Sequence, residues 1–368
     1  MIKLNEIVES VSITYDFSKT KEVIFLNTGD IQKGKILVSS YSDVQHLPGQ
    51  AKKTIKNGDI LYSEIRPQNQ RFCLVNVPNP QGYVVSTKLM VLRFKNNNYN
   101  PDFVYQYITQ DTVVNKLQIL AESRSGTFPQ ITFSELGSIE IPEYSFADQQ
   151  HIVNILGSLD DKIENNEKLV RKMHDLAMLY YQDLFGNSSG EIALNDVADI
   201  IMGQAPSSDS YNESGEGMTF YQGRTDFGML FPKERLYTTA PSRLAKKGNV
   251  LFSVRAPVGD VNIASDNCCI GRGLAAINNK LGFDSNASIY YALIAAHPDF
   301  DIYNGSGTVF GCINKNEINN TKLKIDTINK LKIFDSKVST LFEKSVSTVK
   351  ENIKLVALKK SYLKKFFD

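Results

Sequence analysis

The sequence predicts a mixed α/β protein: two similar α/β modules separated by a long antiparallel two-helix coiled coil, with an internal pseudo-twofold repeat. Three observations carry this prediction. Short sequence matches recur in order at a nearly constant offset, a heptad seam fills the middle of the chain, and a helical segment of opposite charge follows the second module. Together they divide the 368 residues into two repeats, each a module followed by a long helix.

The repeat is visible in short segments that return 181 to 190 positions later in the chain. The paired segments are 4–8 with 194–198, 55–63 with 245–253, and 125–127 with 306–308. An ordered series of this kind indicates a duplicated unit, and changes in loop length account for the drift in offset. We therefore expect four segments: a first module at 1–144, a central helix at 145–186, a second module at 191–325, and a C-terminal helix at 326–368.

Each module is predicted to combine strands with a helix. Residues 58–66 and 82–93 alternate apolar and polar side chains and are rich in β-branched residues, which favours strands. Residues 101–120 have Pro in the first turn and an apolar side, which favours one helix. In the second module the corresponding predictions are strands at 248–255 and 268–277 and a short helix at 287–296.

The central helix is predicted from a seam whose steps alternate four and three residues. Its members are Ile152, Leu156, Leu159, Ile163, Asn166, Val170, Met173, Ala177, Tyr180 and Leu184. This is the spacing of a coiled coil, and Asn166 is the polar exception that can fix helix register. The roughly 33 residues of the seam correspond to a rod of about 50 Å.

The C-terminal helix is the predicted partner of the central helix. Its inner side is expected to carry Val338, Leu341, Phe342, Val349, Ile353, Val356, Tyr362, Leu363 and Phe367. Residues 327–367 contain ten basic and three acidic side chains, whereas residues 147–185 contain four basic and seven acidic ones. Opposite net charges favour pairing. The alternative is that each helix packs only on its own module.

Composition and motifs favour a binding protein over an enzyme. The net charge is +1, none of the four Cys residues forms a C-x-x-C pair, and we expect reduced thiols in a cytoplasmic protein. No signal peptide and no apolar run of about 18 residues is found. Phosphate-binding loops, H-E-x-x-H and amino-methyltransferase motifs are absent from the sequence. A stand-alone DNA-modifying enzyme with an unrecognised site, and a non-DNA scaffold or adhesin, remain the alternatives.

Two similar modules on a stiff spacer suit a duplex that is read at two half-sites. The candidate DNA contacts are Arg, Gln, Asn and small polar residues in the loops, since Arg pairs with guanine and Gln or Asn with adenine. In the first module they are Thr28, Arg66, Gln68, Asn69, Gln70, Arg71, Arg124, Ser125 and Thr127. In the second module they are Arg224, Thr225, Arg255, Arg272, Ser306 and Thr308.

Several of these segments resemble the DNA-specificity subunits of type I restriction-modification systems. The resemblance lies in residues 139–142 (IEIP), 149–152 (QQHI), 155–163 (ILGSLDDKI), 166–169 (NEKL) and 248–257 (GNVLFSVRAP). It extends over the whole chain and both repeats. After residue 325 the sequence departs from the pattern, because the Pro and paired Gln of the first junction are missing.

The resemblance implies a division of labour among several subunits. Each module would be a target recognition domain for double-stranded DNA, and the coiled coil would act as ruler and docking surface. Two modification subunits would carry S-adenosylmethionine and the adenine methyltransferase site. Restriction subunits, which use ATP and Mg, would translocate and cleave DNA. This chain would hold no cofactor or metal of its own and would contribute no catalytic residue.

Overall fold

The computed structural model describes residues 1–124, 128–304 and 311–367, which form two compact units. The first unit comprises Met1–Asp161 and Val356–Asp368, and the second comprises Lys162–Leu355. Each unit contains one α/β module together with parts of two helices of 40 residues.

The module of the first unit is built from short strands and helices. Its strands are β1 (Ile2–Lys3), β2 (Val8–Val11), β3 (Glu22–Leu26), β4 (Ile31–Gln32), β5 (Lys35–Ile36), β6 (Ser42–Asp43), β7 (Ala51–Lys53), β8 (Ile60–Ser63), β9 (Phe72–Leu74), β10 (Tyr83–Ser86), β11 (Leu89–Phe94) and β12 (Glu140–Ile141). Its helices are α1 (Leu4–Ile7), α2 (Pro101–Ile108), α3 (Asp111–Arg124) and α4 (Phe133–Gly137), followed by the long α5 (Phe146–Phe185).

Two four-stranded sheets organise this module. One is antiparallel, with strand order β2-β11-β8-β9. The other has the order β6-β3-β10-β7, with β3 and β10 parallel. All four residues of β8 are buried, because this strand lies inside its sheet and both of its faces are covered. Apolar residues from both helices α2 and α3 complete the core.

The single helix predicted at 101–120 is wrong, because two helices meet there. Asn100 caps α2 by accepting from the amides of Asp102 and Phe103, and Pro101 occupies the first turn. The helix ends at Thr109, whose hydroxyl donates to the carbonyl of Tyr105 at 2.7 Å. A β-branched residue with this back-bond competes with the helical hydrogen bonds, and a new helix starts two residues later.

The module of the second unit follows the general plan of the first. Its strands are β13 (Glu191–Ala193), β14 (Ala198–Met202), β15 (Tyr211–Asn212), β16 (Met218–Tyr221), β17 (Tyr237–Thr238), β18 (Leu244–Ala245), β19 (Val250–Ser253), β20 (Val261–Ile263), β21 (Cys268–Ile270), β22 (Leu274–Asn279) and β23 (Lys322–Lys324). Its helices are α6 (Leu194–Val197), α7 (Ala287–Ala295) and α8 (Lys315–Asn319), followed by the long α9 (Ile328–Phe367).

The sheets confirm the duplication predicted from the sequence. The order β14-β22-β19-β20 reproduces β2-β11-β8-β9, and the parallel pair β16/β21 reproduces β3/β10. The pairing of β13 with β23 reproduces that of β1 with β12. The shared topology shows that the segments matched in sequence are matched in structure.

Within the second unit, α5 and α9 pack against each other in antiparallel orientation. The Tyr181 ring lies 5.5 Å from that of Phe334, and the Asn166 amide donates to Asn352 at 2.8 Å. Residue numbers therefore rise along α5 while they fall along α9. Apolar residues from both helices share one core with the module. The alternative in which each helix packs only on its own module is thus excluded.

Within the first unit, the beginning of α5 and the end of α9 belong to the same core. Ile152 and Leu156 of α5 are buried there. Lys359 of α9 forms an ion pair with Asp160 at 2.7 Å. The α9 residues that pack against this core are Tyr362, Leu363, Phe366 and Phe367.

The structure corrects part of the predicted helix seam. Tyr181 and Phe185 are buried, whereas the predicted Tyr180 and Leu184 are only partly so. A straight α-helix drifts by about 20° per heptad relative to an ideal 3.5-residue repeat, which amounts to nearly one residue over the seam. The predicted Val170 and Met173, in mid-seam, are buried, and Leu159 and Ile163 are half-buried.

On α9, two predicted seam residues face solvent. Ile353 is 56% exposed and Val356 is 55% exposed. The contact to α5 passes instead through Asn352, which donates to the carbonyl of Ile163 at 3.0 Å in the second unit. Val338 and Val349 are buried as predicted, and Leu341 is half-buried.

Candidate nucleic-acid interface

In the first unit, the turn at 66–71 brings together five of the predicted DNA contacts. It follows β8, forms one helical turn at Pro67–Asn69, and leads into β9. The amides of Asn69 and Gln70 donate to the carbonyls of Arg66 and Pro67, both at 2.8 Å. These bonds leave the side chains of Arg66 and Gln68 exposed to solvent.

Backbone strain is concentrated at this turn. Arg66 and Gln70 have φ values of 44° and 52°, and Lys33 at the tip of the β4–β5 hairpin has 46°. Among the described residues, these three are the non-glycine residues with positive φ. The Lys33 amide donates to the Gln70 carbonyl at 2.9 Å, so the hairpin tip sits directly on the turn. Such strain persists only where the surroundings impose it, and it clusters at functional sites.

Two of the predicted contacts are engaged inside the protein. Thr28 is 8% exposed, and its hydroxyl accepts from the Arg71 guanidinium at 3.4 Å. The Asn69 carbonyl accepts from the Gln32 side chain at 2.9 Å. Thr28 and Arg71 therefore brace the turn, and the exposed side chains beside them face solvent.

A second loop runs next to the turn. Gln130 pairs with Ile65, and the Arg66 amide donates to the carbonyl of Pro129 at 3.1 Å. Arg124, at the end of α3, is exposed and forms an ion pair with Glu135 at 3.1 Å. Arg124, Gln130 and neighbouring residues line a cleft of about 340 Å³. Two other predicted contacts, Ser125 and Thr127, lie outside the described residues, as do Ser306 and Thr308 of the second module.

The second unit carries the same backbone arrangement around Arg255. Arg255 pairs with Cys312, and the Ala256 amide donates to the Gly311 carbonyl at 3.0 Å. In the first unit Ile65 and Arg66 make the same bonds to Gln130 and Pro129. Residues 255 and 256 follow 65 and 66 by 190 positions, and residues 311 and 312 follow 129 and 130 by 182. Arg255 is exposed, one position earlier than Arg66 in the repeat.

The turns at 28–30 and 224–226 also correspond. Each is closed by an aspartate, since Asp30 accepts from the Asn27 amide at 2.8 Å and Asp226 from the Gln222 amide at 2.7 Å. Where Thr28 is buried, Arg224 is exposed and pairs with Asp260. Asp260 is also 3.2 Å from His297. Thr225 is exposed and projects from the same turn.

Arg272 occupies a tightly packed turn between β21 and β22. Its neighbours Gly271 and Gly273 press against Gln222, and a Cβ on Gly273 would lie 2.5 Å from the Gln222 carbonyl oxygen. The Gly271 amide donates to the carbonyl of Tyr221 at 2.8 Å. These contacts fix the backbone and leave the Arg272 side chain exposed next to the Arg224 turn.

The structure also identifies a lysine with a structural role. The Lys53 amine donates to the carbonyls of Thr87 and Leu89 at 3.0 and 2.9 Å, and burial lowers the pKa of Lys53. It therefore joins two strands and presents no charge to a nucleic acid. Gln118 and Asn304, which are not among the predicted contacts, donate and accept hydrogen bonds at the candidate turns. Asn304 opens the small polar loop that contains the predicted contacts Ser306 and Thr308, whereas Gln118 lies in no motif, so sequence patterns offered no signal for Gln118.

In residues 1–124, 128–304 and 311–367, no helix has the length and apolar character needed to cross a membrane. Over the same residues, no group of three or more His, Cys, Asp or Glu side chains converges as metal ligands would.

Comparisons with known proteins match this organisation. A sequence model of the family described as type I restriction modification DNA specificity domain matches residues 1–172 and 189–344. The HindI specificity subunit of Haemophilus influenzae is 41% identical over 182 residues, which are 50% of this chain and 39% of that one. The putative MjaX specificity subunit of Methanocaldococcus jannaschii is 30% identical over 312 residues, 79% of this chain and 73% of that one.

A solved structure shares the fold. The S subunit of a type I restriction-modification system from M. genitalium aligns with a TM-score of 0.60 and 16% identity, covering 100% of this chain and 95% of that one. At this identity the likeness concerns the fold alone.

The duplicated module and the family model that matches both copies define a two-module specificity protein of the restriction-modification class. The sequence match spans 328 of the 368 residues, counted as 172 in the first repeat and 156 in the second. The chain belongs to the type I restriction-modification DNA specificity family.

Proposed function

We propose that this chain selects the DNA sequence on which a type I restriction-modification enzyme acts, and that it contributes no catalytic residue. Each module reads one half of a two-part, asymmetric target in double-stranded DNA. The observation that carries the proposal is the matched pair of turns, which keep one backbone arrangement but expose different side chains. Arg66 and Gln68 project from the first turn, and Arg255 projects from the second.

The chemistry of these side chains suits base reading. An Arg binds guanine through two hydrogen bonds in the major groove, and a Gln binds adenine in the same way. The strained turn in the first unit and the glycine-packed turn beside Arg272 hold the backbone still, so little conformational entropy is lost on binding. Different side chains on equivalent turns would give two different half-sites.

The paired helices are proposed to receive the catalytic partners. Two modification subunits, which carry S-adenosylmethionine, would dock along α5 and α9, and restriction subunits using ATP and Mg would join that assembly. The helices present exposed apolar side chains, among them Leu169 and Leu179 on α5, which suit a protein contact.

The test is selection from a pool of duplexes with randomised sequence, using the full chain assembled with its modification subunits. We expect enrichment of one two-part sequence, bound about a thousandfold or more tightly than random duplex, with affinity falling steeply as salt increases. Replacing Arg66 and Gln68 together by Ala should relax only the half read by the first module. Equal binding of all duplexes, or DNA modification by the chain without partners, would contradict the proposal.

A further inference from the structure

The two candidate turns share a feature that concerns a single backbone amide. Pro67 and Pro257 are matched at an offset of 190, and each is followed by a residue whose N–H donates to a side chain. In the first unit this is the amide of Gln68, and in the second it is the amide of Val258. In both units, a side-chain amide from the helical segment that follows the sheet accepts a hydrogen bond from this N–H.

In the first unit the acceptor is Gln118 of α3. Its Oε1 accepts from the Gln68 amide at 3.1 Å, and its Nε2 donates to Glu122 Oε1 at 2.7 Å. Gln118 is 4% exposed, so a polar side chain has been buried at a cost that only these hydrogen bonds offset. The turn is thereby tied to a helix and not left as a free loop.

In the second unit the acceptor is Asn304, which follows the helical turn at His297–Tyr303. Its Oδ1 accepts from the Val258 amide at 2.7 Å, and its Nδ2 donates to the Val258 carbonyl at 3.3 Å. Gln118 lies inside α3, whereas Asn304 lies just after the helical turn at His297–Tyr303. The same backbone position is therefore held by a different residue type from a different place in the helical segment.

We propose that Gln118 and Asn304 are positioning residues for sequence reading, each acting on the turn of its own module. This inference rests on the proposed function. Base discrimination requires donors and acceptors to be placed to within a fraction of a hydrogen-bond length. Gln118 fixes the backbone from which Gln68 and Arg66 project, and Asn304 fixes the backbone that follows Arg255. Neither residue touches a base.

The experiment compares two single variants in the duplex selection, with the full chain assembled with its modification subunits. Gln118→Met keeps the length of the side chain and removes the acceptor, and Asn304→Leu does the same in the second module. We expect Gln118→Met to reduce base discrimination about threefold to tenfold in one half of the target and to leave the other half unchanged. Asn304→Leu should show the reverse pattern, so each variant is the matched control for the other.

Conservative variants separate positioning from general stability. Asn304→Asp retains the acceptor for the Val258 amide, and Gln118→Glu combined with Glu122→Gln exchanges the two ends of the Gln118–Glu122 bond while keeping an acceptor for Gln68. Both should retain the base discrimination that Asn304→Leu and Gln118→Met lose. If Gln118→Met or Asn304→Leu folds poorly, these conservative variants still test the positioning role.

The outcomes distinguish failure of the positioning role from failure of the proposed function. If the unmodified assembly enriches no sequence, the proposed function fails. If it enriches a two-part sequence, but both single variants keep full discrimination in both halves, the positioning role is wrong and the proposed function stands. Loss of discrimination in both halves from one substitution would also overturn the positioning role, because it would reflect general destabilisation.

Discussion

The two modules share one backbone plan but satisfy equivalent buried polar groups with different side chains. In the first module Asp59 is buried and forms a two-point ion pair with Arg93, at 2.9 and 2.7 Å. In the second module the matching Asn249 donates to Asn278 at 2.9 Å. Both Asp59 and Asn249 also accept from the amide three residues before them, at 2.7 and 2.9 Å.

The comparison shows which features the two copies of the module share. The backbone bonds of the turn and sheet recur in both modules, whereas the charge of the side chains that support them does not. A neutral amide pair and an ion pair both satisfy the buried polar groups, and that satisfaction is what the fold requires. Side-chain chemistry around the sheets is therefore free to diverge, and the exposed turns diverge with it.

The largest loss of stability is expected from removing the charge of Asp59 in the first module. Asp59→Asn leaves the Arg93 guanidinium, which is mostly buried, without its carboxylate. Breaking a buried ion pair in this way should lower the free energy of unfolding by about 3 kcal/mol. Hydrogen exchange at β8 and β11, compared with β19 and β22 in the second module, would locate the loss.

A control transfers the ion pair to the second module. Introducing the ion pair into the second module as Asn249→Asp with Asn278→Arg should be tolerated far better than Asn249→Asp alone. Normal exchange rates at β8 and β11 in Asp59→Asn would show that the charge of Asp59 is not needed there.

A smaller loss is expected at the turn between β21 and β22. Gly273→Ala places a Cβ 2.5 Å from the backbone oxygen of Gln222, so the turn must shift, at a cost of about 1–3 kcal/mol. The first module has Lys88 at the matching position, where its amine lies 3.6 Å from Glu64. Lys88→Ala removes an exposed ion pair and should change stability by less than about 1 kcal/mol. Urea unfolding of both variants measures the difference, and equal midpoints would refute the packing argument.

The smallest effect concerns pH and the two histidines of α5. His174, in the second unit, lies 5.7 Å from the Tyr291 ring, and burial lowers the pKa of His174. A lowered pKa in the folded state means that its contribution is present above the unfolded pKa of about 6.5 and is lost as pH falls through the folded value. Acidification from pH 7.5 to 5 should therefore weaken the second unit slightly.

Two matched variants check this assignment. His174→Gln should remove part of the decline in melting temperature between pH 7.5 and 5, because glutamine does not titrate. His151→Gln in the first unit replaces an exposed histidine and should leave the decline as it was. An unchanged decline in His174→Gln would assign the pH dependence to other groups.

Much of the architecture followed from patterns that are local in the chain. The offset matches predicted the duplicated topology, and the heptad spacing with opposite charges predicted the antiparallel helix pair. The heptad pattern did not predict every buried residue of the two helices. Tyr181 and Phe185 replace Tyr180 and Leu184 because helical drift adds up along α5, and Ile353 turns outward because the seam passes through Asn352.

The candidate site was less predictable than the fold. The sequence placed Arg66, Gln68 and Arg255 on loops, and they are exposed. It did not foresee that Thr28 is buried under Arg71, or that the Lys33 hairpin rests on the same turn. These contacts join residues 43 and 37 positions apart, and no periodicity relates them.

The sequence by itself determined the repeat and the family, since these rest on similarity along the chain, and it favoured the helix pairing that the structure then established. Only the tertiary structure decided that Gln118 and Asn304 hold equivalent amides, and that glycines at 271 and 273 fix Arg272. The reason is that a hydrogen bond depends on distances of about 3 Å between atoms from separate segments, and folding alone sets those distances.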